Sequence, residues 1–338
     1  MDVNKLNEVA KRLILSGKGI FAADATEGTM DKRLQNTGIE PSPEIRRLFR
    51  EILLKTEGLG EFISGVILND EIIRQKTSDG NTFQEIISGQ GILVGIKVDK
   101  KTHNMANFPG EKIAEGLDGL RDRLKEYKEM GAGFAKFRTV ITIGQGNPTQ
   151  TCIDSNSEVL ARYAALCQET DIVPIVEPEV VMDGDHSIQR CEEVTRAVIV
   201  SLFKLLDDHK VYLPGIVLKP NMVLPGNESR ETPPLQEIAE ITLQTLKRFV
   251  PPEIAGIVFL SGGQKAEDAT LRLNEMSKAV DLPWKLTFSF ERALEGPAME
   301  VWKGKEDNVE AAKKELYKRA KLNSLASQGK YDSSMEES

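Results

Sequence analysis

Charged side chains at the ends of apolar runs are the chemically informative residues of this chain. Asp24 ends the run GIFAAD, Lys97 lies near the end of ILVGIKV, and Lys136 and Arg138 end GFAKFR. Glu177 ends IVPIVE with Glu179 just beyond it, and Lys219 ends GIVLK. Buried parallel strands are almost wholly apolar, so an ionisable residue at the end of one needs a reason. One alone reads as a structural ion pair, whereas recurrence at equivalent ends of several runs reads as a functional ring. The strand period of two puts Lys136 and Arg138 on one face, and likewise Glu177 and Glu179.

The chemistry such a ring could support is organic. The only histidines are His103, His186 and His209, with no HxH or HExxH spacing. All three fall in predicted loops or helix ends, where solvated imidazoles are expected, so neither a metal ion nor a cofactor is anticipated. A lysine attacking a carbonyl to form a Schiff base is the natural reaction. Lysine amines ordinarily titrate near ~10.4, and poising one near neutrality takes about 4 kcal/mol. Desolvation beside other cations can supply that. Lys97, Lys136 and Lys219 all qualify by position. Lys219 has the most apolar approach (Ile216, Val217, Leu218), which gives it only a modest lead.

Two anion sites are suggested. Ser261-Gly262-Gly263-Gln264 joins the seventh run to a predicted helix, so backbone N–H groups and a helix N-terminus could close around a phosphate. Arg292 follows the eighth run and could clamp the same group. Thr26 and Thr29 follow Asp24 and could combine with Lys97 in a second site.

These residues must be positioned by eight short strands: Gly19–Asp24, Ile63–Asn69, Ile92–Val98, Gly133–Arg138, Ile172–Glu177, Gly215–Lys219, Gly256–Ser261 and Trp284–Ser289. Stretches of helical period separate most of them, at Glu111–Met130, Asn156–Thr170, Ile188–His209, Pro234–Phe249 and Ala266–Val280. Eightfold strand–helix alternation predicts an α/β fold, a (β/α)8 barrel of the TIM type, whose strand C-termini face the active site. An open doubly wound sheet is the competitor, but the first strand runs into AADATEG and not a GxGxxG turn. Leu6, Val9, Leu13 and Ile14 mark an N-terminal amphipathic helix, and Asn308–Ala326 a closing one. The polar tail Gly329–Ser338 is expected to be mobile. Residues 1–338 are expected to form one domain.

At 338 residues the chain can bury a large core, and its formal charge of −8 excludes a general nucleic-acid or membrane-surface role. No 18 consecutive apolar residues occur, so no membrane span is expected. Cys152, Cys167 and Cys191 form no CxxC pair and read as buried, reduced thiols, which with the absence of a secretory segment predicts a cytoplasmic protein.

The blocks GKGIFAAD, GVILNDE, GIKVDK, GLDGL, GAGFAKFR, VPIVEPE, MDGDH, LKPNMV, FLSGGQ and SLASQGKY, in this order over nearly the whole chain, resemble the class I, Schiff-base fructose-1,6-bisphosphate aldolases. The resemblance implies reversible cleavage of fructose 1,6-bisphosphate to dihydroxyacetone phosphate and glyceraldehyde 3-phosphate in glycolysis and gluconeogenesis. It makes Lys219 the Schiff-base residue and Glu177 the proton shuttle of carbinolamine dehydration, with Glu179 and Lys136 beside it. Asp24 would assist removal of the C4-hydroxyl proton. Lys97 and Arg138 would hold one phosphate; Ser261, Gly262 and Arg292 would hold the other. Family members are commonly homotetramers, so a homo-oligomer is implied.

Departures from the family pattern leave related reactions open. SFERAL stands where the family has SYGRAL, so Glu291 would repel a phosphate unless it turns to solvent or pairs with a cation such as Lys303. AADAT replaces AADES, keeping a hydroxyl at Thr26 but losing a carboxylate at Ala25, and Pro214 replaces a common Glu. The animal enzymes end in a tyrosine that aids proton exchange on the enamine. Here the chain ends at Ser338 and Tyr331 belongs to the GKY segment, so that step is expected to run differently or more slowly. The alternatives are the same chemistry on sedoheptulose 1,7-bisphosphate or fructose 1-phosphate, and a non-catalytic binding scaffold. A glycosidase using Glu177 and Glu179 is disfavoured, because same-strand carboxylates rarely flank a glycosidic bond.

Overall fold

Each of the eight apolar runs becomes a parallel strand, and the eight close on themselves in the computed structural model, which describes residues 1–337. The strands are β1 (Gly19–Ala22), β2 (Ile63–Leu68), β3 (Leu93–Lys97), β4 (Phe134–Ile141), β5 (Val173–Val180), β6 (Val217–Leu218), β7 (Gly256–Phe259) and β8 (Leu286–Phe290). Neighbours in sequence are neighbours in the barrel, and β1 pairs with β8 through Ile20 and Ser289. β4 and β5 outrun their expected ends because they pair residue for residue from Phe134–Val173 to Ile141–Val180. β6 is short. Pro220 follows Lys219 and has no N–H to continue the ladder.

The helices are α1 (Val3–Leu13), α2 (Glu27–Asn36), α3 (Pro43–Leu54), α4 (Asp70–Arg74), α5 (Phe83–Gly89), α6 (Leu120–Glu129), α7 (Gln150–Glu169), α8 (Ile188–Asp208), α9 (Leu235–Phe249), α10 (Ala266–Ser277), α11 (Arg292–Trp302) and α12 (Val309–Ala326). Side-chain caps fix several starts. Ser42, Thr149 and Ser187 each accept a backbone N–H from the first turn of α3, α7 and α8. The Thr149 cap starts α7 at Gln150, ahead of the expected Asn156.

The helix expected over Glu111–Met130 forms only in its second part. Lys112–Ala114 instead pairs antiparallel with Thr102–Asn104, and the Glu111 carboxylate accepts from Thr149 N and Oγ1 at 2.5 and 2.7 Å. Gly116 and Gly119, with φ of 131° and 65°, turn the chain before α6 can begin.

The core has two parts. A large shell lies between the barrel and the helices. A smaller cluster fills the barrel's N-terminal end, where Leu6, Ala10, Leu13 and Ile14 meet Ile20, Ile67, Phe134, Val173, Ile175, Val217 and Val258. Helix α1 is therefore a plug across the barrel floor. The apolar period that marks this helix in the sequence is the face it drives into the barrel.

Two expectations are corrected. The tail is not free of the body. Tyr331 is buried, its N–H donates to Asn274 Oδ1 at 2.9 Å, and Glu336 pairs with buried Arg319 at 2.6 Å. Burial pushes the Tyr331 phenol upward, as does its hydrogen bond to Glu336. Ser338 lies outside the described residues. Nor are all three histidines solvated: His186, just before α8, is buried, whereas His103 is exposed and His209 half-buried against Glu158.

The floor gives one prediction. A Cβ on Gly95 would come within 2.3 Å of the Phe134 ring, which is itself fully buried. Gly95→Ala should cost on the order of 1–3 kcal/mol by overpacking and lower the melting temperature in a thermal scan. An unchanged melting temperature would mean that the floor repacks freely.

Candidate active site

Strand register brings the charged side chains together. Lys97 pairs in register with Lys136 across β3 and β4, and Arg138 with Glu177 across β4 and β5. Lys219 continues β6 beside Glu177, its N–H donating to Val176 O at 2.8 Å. Asp24 follows β1. At the centre the buried Lys136 ammonium lies 2.7 Å from Asp24 Oδ2 and 3.1 Å from Glu177 Oε2. Lys219 Nζ lies 3.1 Å from the other Glu177 oxygen, Oε1.

All four groups are almost completely buried, at 3–4% exposure. Desolvation alone would raise the two carboxyl pKa values and favour neutral acids. For Asp24 that effect is overcome by Lys136, Lys219 and Lys97, and its carboxyl is held at about 2. Burial likewise pushes Glu177 up, but Lys136, Lys219 and Arg138 bring it below the ordinary carboxylate value. Burial works against the Lys136 ammonium, yet Asp24 and Glu177 raise its pKa well above that of a free lysine. Asp24, Glu177 and Lys136 are thus held in their charged forms.

Around it stands a second tier of pairs. Arg138 Nε bonds Glu179, and Lys97 bonds the Asp99 carboxylate. Asp99 also accepts from Arg138 N at 3.3 Å. Apart from Asp99, which stands behind them, these groups line a cavity of about 380 Å³ with Thr26, Thr29, Ser261, Gly262 and Arg292. Every site residue expected from the sequence lies on this one cavity. Thr26 and Thr29 share a hydrogen bond of 3.0 Å at the start of α2, on the Lys97 side. After β7, Gly262 and Gly263 adopt φ of 56° and 87°, a backbone that other residues rarely take. A Cβ on Gly263 would come within 3.1 Å of Arg292 Nη2, so the loop and that guanidinium are in close approach. Arg292 has no hydrogen-bond or ion-pair partner among the described residues. The loop N–H groups and a free guanidinium suit an anion.

Four lining or supporting residues lay beyond the sequence reading. Asp99 sits two residues after Lys97, and the same period of two could have found it. Ser289, at the end of β8, is buried in the cavity wall with its hydroxyl unpartnered; attention to charge alone passed it over. Lys32 and Arg33 reach the cavity from α2, a helix not anticipated. Glu291 does not turn to solvent or pair with Lys303. Arg33 Nη1 donates to it at 3.0 Å.

A larger cavity of about 820 Å³ adjoins through Thr26 and Lys97 and has Asp99 on its wall, but there Arg74 is committed to Asp70 and Glu126. The reactive constellation belongs to the smaller space. Among the described residues no group of three or more His, Cys, Asp or Glu could hold a metal ion, and no helix is long and apolar enough to cross a membrane. The three cysteines are buried and free.

A barrel with a buried lysine beside a glutamate, in a mouth walled by cations, has the features of an enzyme that could hold an anionic carbonyl substrate. The family model "Fructose-bisphosphate aldolase class-I" matches residues 5–338. A probable fructose-bisphosphate aldolase class 1 of Xanthomonas axonopodis pv. citri is 50% identical over 332 residues, covering 98% of this chain and 99% of that protein. Fructose-bisphosphate aldolase C of Carassius auratus is 47% identical over 332 residues, covering 98% and 92%. The fructose-bisphosphate aldolase of Plasmodium falciparum, solved with TRAP and a small-molecule inhibitor, superposes with a TM-score of 0.96 at 44% identity, covering 97% and 95%. The chain belongs to the class I fructose-bisphosphate aldolase family.

The depressed Asp24 value sets a pH dependence. A folded pKa of about 2 against an ordinary 3.8 contributes stability present above pH 3.8 and lost as pH falls through 2. The amount is on the order of 2 kcal/mol. In urea titrations between pH 5 and pH 2, Asp24→Asn should show a shallower acid loss of stability than the unmodified chain. Parallel curves would place the acid-sensitive charge elsewhere.

Proposed function

We propose that residues 1–338 act as one aldolase domain that cleaves fructose 1,6-bisphosphate reversibly into dihydroxyacetone phosphate and glyceraldehyde 3-phosphate through a Schiff base on Lys219. The observation that carries the residue roles is the contact of Lys219 Nζ with Glu177 Oε1 at 3.1 Å, inside a cluster otherwise closed by Lys136 and Asp24. Of the three candidate lysines, Lys97 is committed to Asp99 and Lys136 is shared between two carboxylates. Lys219 alone is both buried in the inner cluster and left with a single carboxylate neighbour, Glu177, to take its proton.

The steps follow from this placement. Glu177 accepts a proton from Lys219, whose nitrogen attacks the ketose C2 carbonyl carbon. The resulting carbinolamine loses its hydroxyl as water, with the proton returned by Glu177, and a protonated imine forms. Asp24 then receives the C4-hydroxyl proton while the C3–C4 electron pair moves into the imine to give an enamine. A carboxyl held at about 2 is a weak base, so the drive comes from the cationic imine as electron sink. Protonation at C3 and hydrolysis of the imine release the second product and restore the lysine.

Phosphate binding is assigned to both ends of the cavity, to Thr26, Thr29, Lys97 and Arg138 on one side and to Ser261, Gly262 and Arg292 on the other. Glu179 holds Arg138 in place. We further assign the protein to the cytoplasm, as a homotetramer; light scattering would read the assembly.

Borohydride with dihydroxyacetone phosphate should trap an adduct on Lys219, and Lys219→Arg should abolish it. Adduct on Lys97 or Lys136 would overturn the assignment. Glu177→Gln should lower kcat by about 10²–10⁴, the usual contribution of a general acid–base group. Prolonged EDTA treatment should leave turnover unchanged; loss restored by zinc would replace the imine mechanism.

A further inference from the structure

Between the Thr26–Thr29 turn and Arg292 the cavity wall is formed by Arg33, and this cation is already occupied. Arg33 Nη1 lies 2.6 Å from Glu295 Oε1 and 3.0 Å from Glu291 Oε1. Glu295 is fully buried, and its other oxygen binds the buried Arg50. The two arginines and two glutamates make a neutral network. Burial opposes the Arg33 charge, but Glu291 and then Glu295 raise its pKa.

The two carboxylates are not equivalent. Glu295 has no exposure and satisfies two guanidinium groups, so it is the structural partner. Glu291 makes the longer contact, keeps 28% of its side chain exposed and lies on the cavity wall. It occupies the N-cap position of α11, but its side chain makes no capping bond to a helix N–H. Its carboxylate goes to Arg33.

Charge balance gives this contact a consequence. The cavity is lined by seven cationic side chains (Lys32, Arg33, Lys97, Lys136, Arg138, Lys219, Arg292) against four carboxylates (Asp24, Glu177, Glu179, Glu291). Asp24 and Glu177 belong to the inner cluster and Glu179 is paired with Arg138; Glu291 alone is paired with Arg33. Without it, Glu295 would still anchor Arg33, and the wall would carry one more net positive charge toward the ligand.

We infer that Glu291 is a specificity-determining residue of this chain, an internal carboxylate that competes with substrate phosphate for Arg33 and weakens the cavity's hold on phosphorylated ketoses. The inference rests on the aldolase reading for its substrate class. Glu291 acts through Arg33 and the local potential and touches no reacting atom, so it should move KM and leave kcat alone.

The test uses the full-length protein and two variants. Glu291→Gln keeps an oxygen for Arg33 and removes the charge; Glu291→Gly removes both. At about 10 mM salt, where charges act over about 30 Å, both should lower KM for fructose 1,6-bisphosphate about fivefold with kcat unchanged. Calorimetric affinity for inorganic phosphate should rise by a similar factor. Near 1 M salt, where the Debye length is about 3 Å, both effects should vanish. Unchanged KM and phosphate affinity at low salt would overturn the inference. Higher KM with weaker phosphate binding would also overturn it, by showing that Glu291 presents Arg33 to the ligand. Phosphate binding needs no turnover. Tighter phosphate binding in variants of a protein that cleaves no ketose would remove the aldolase reading and leave the role of Glu291 standing.

Discussion

The Lys136 ammonium held between Asp24 and Glu177 is the interaction on which the rest of this site depends. Taking an ion out of water costs several kcal/mol even after relaxation, and here four ions are taken out together. The arrangement is sustainable only because each charge faces an opposite one at about 3 Å and the four formal charges cancel. Removing any one would strand a buried charge. That is why the carboxylates remain ionised in a place where burial alone would protonate them.

No local stretch of chain could assemble this cluster. Its members come from β4, β5 and the residues just after β1 and β6, so the barrel must be closed and in register before the ions meet. A slip of one residue between β4 and β5 would turn Arg138 away from Glu177 and Lys136 out of the mouth. Register is in turn set at the other end of the barrel. There Phe134 packs over Gly65 and Gly95, and α1 drives Leu13 and Ile14 against Gly65 and Gly256. The apolar floor and the ionic ceiling are thus two ends of one constraint: steric fit below fixes where charge sits above.

Much of this was legible in the sequence because both signals are local. Eight apolar runs with helices between them predict the barrel, and charges at the run ends predict its mouth. What was not legible depends on partners distant in sequence. Arg33 could not be placed without α2, whose charged composition hides its apolar face. Asp99 was visible by spacing, but its role as the brace of both Lys97 and Arg138 is a tertiary fact. Glu291 was singled out as a departure, yet its partner lies 258 residues away and not at nearby Lys303. The polar tail read as mobile because nothing local buries it; Arg319 and Asn274, on α12 and α10, supply the missing contacts.

The neutrality of the inner cluster also bears on the proposed reaction. An imine on Lys219, once protonated, keeps the unit positive charge of the amine it replaces. The four-charge balance therefore survives covalent bond formation. When the C3–C4 bond breaks, the imine loses its charge to become an enamine, and the C4-hydroxyl proton neutralises Asp24. One positive and one negative charge disappear together, leaving Lys136 opposite Glu177. Protonation at C3 from the same pool reverses the change. At no stage does the buried cluster carry an uncompensated ion, so the scaffold that tolerates the resting charges also tolerates every intermediate. Net positive charge is confined to the rim, where water and phosphate can reach it, and Arg292 is its unpaired representative. In the proposed reaction the base of the cavity handles protons and its rim handles anions.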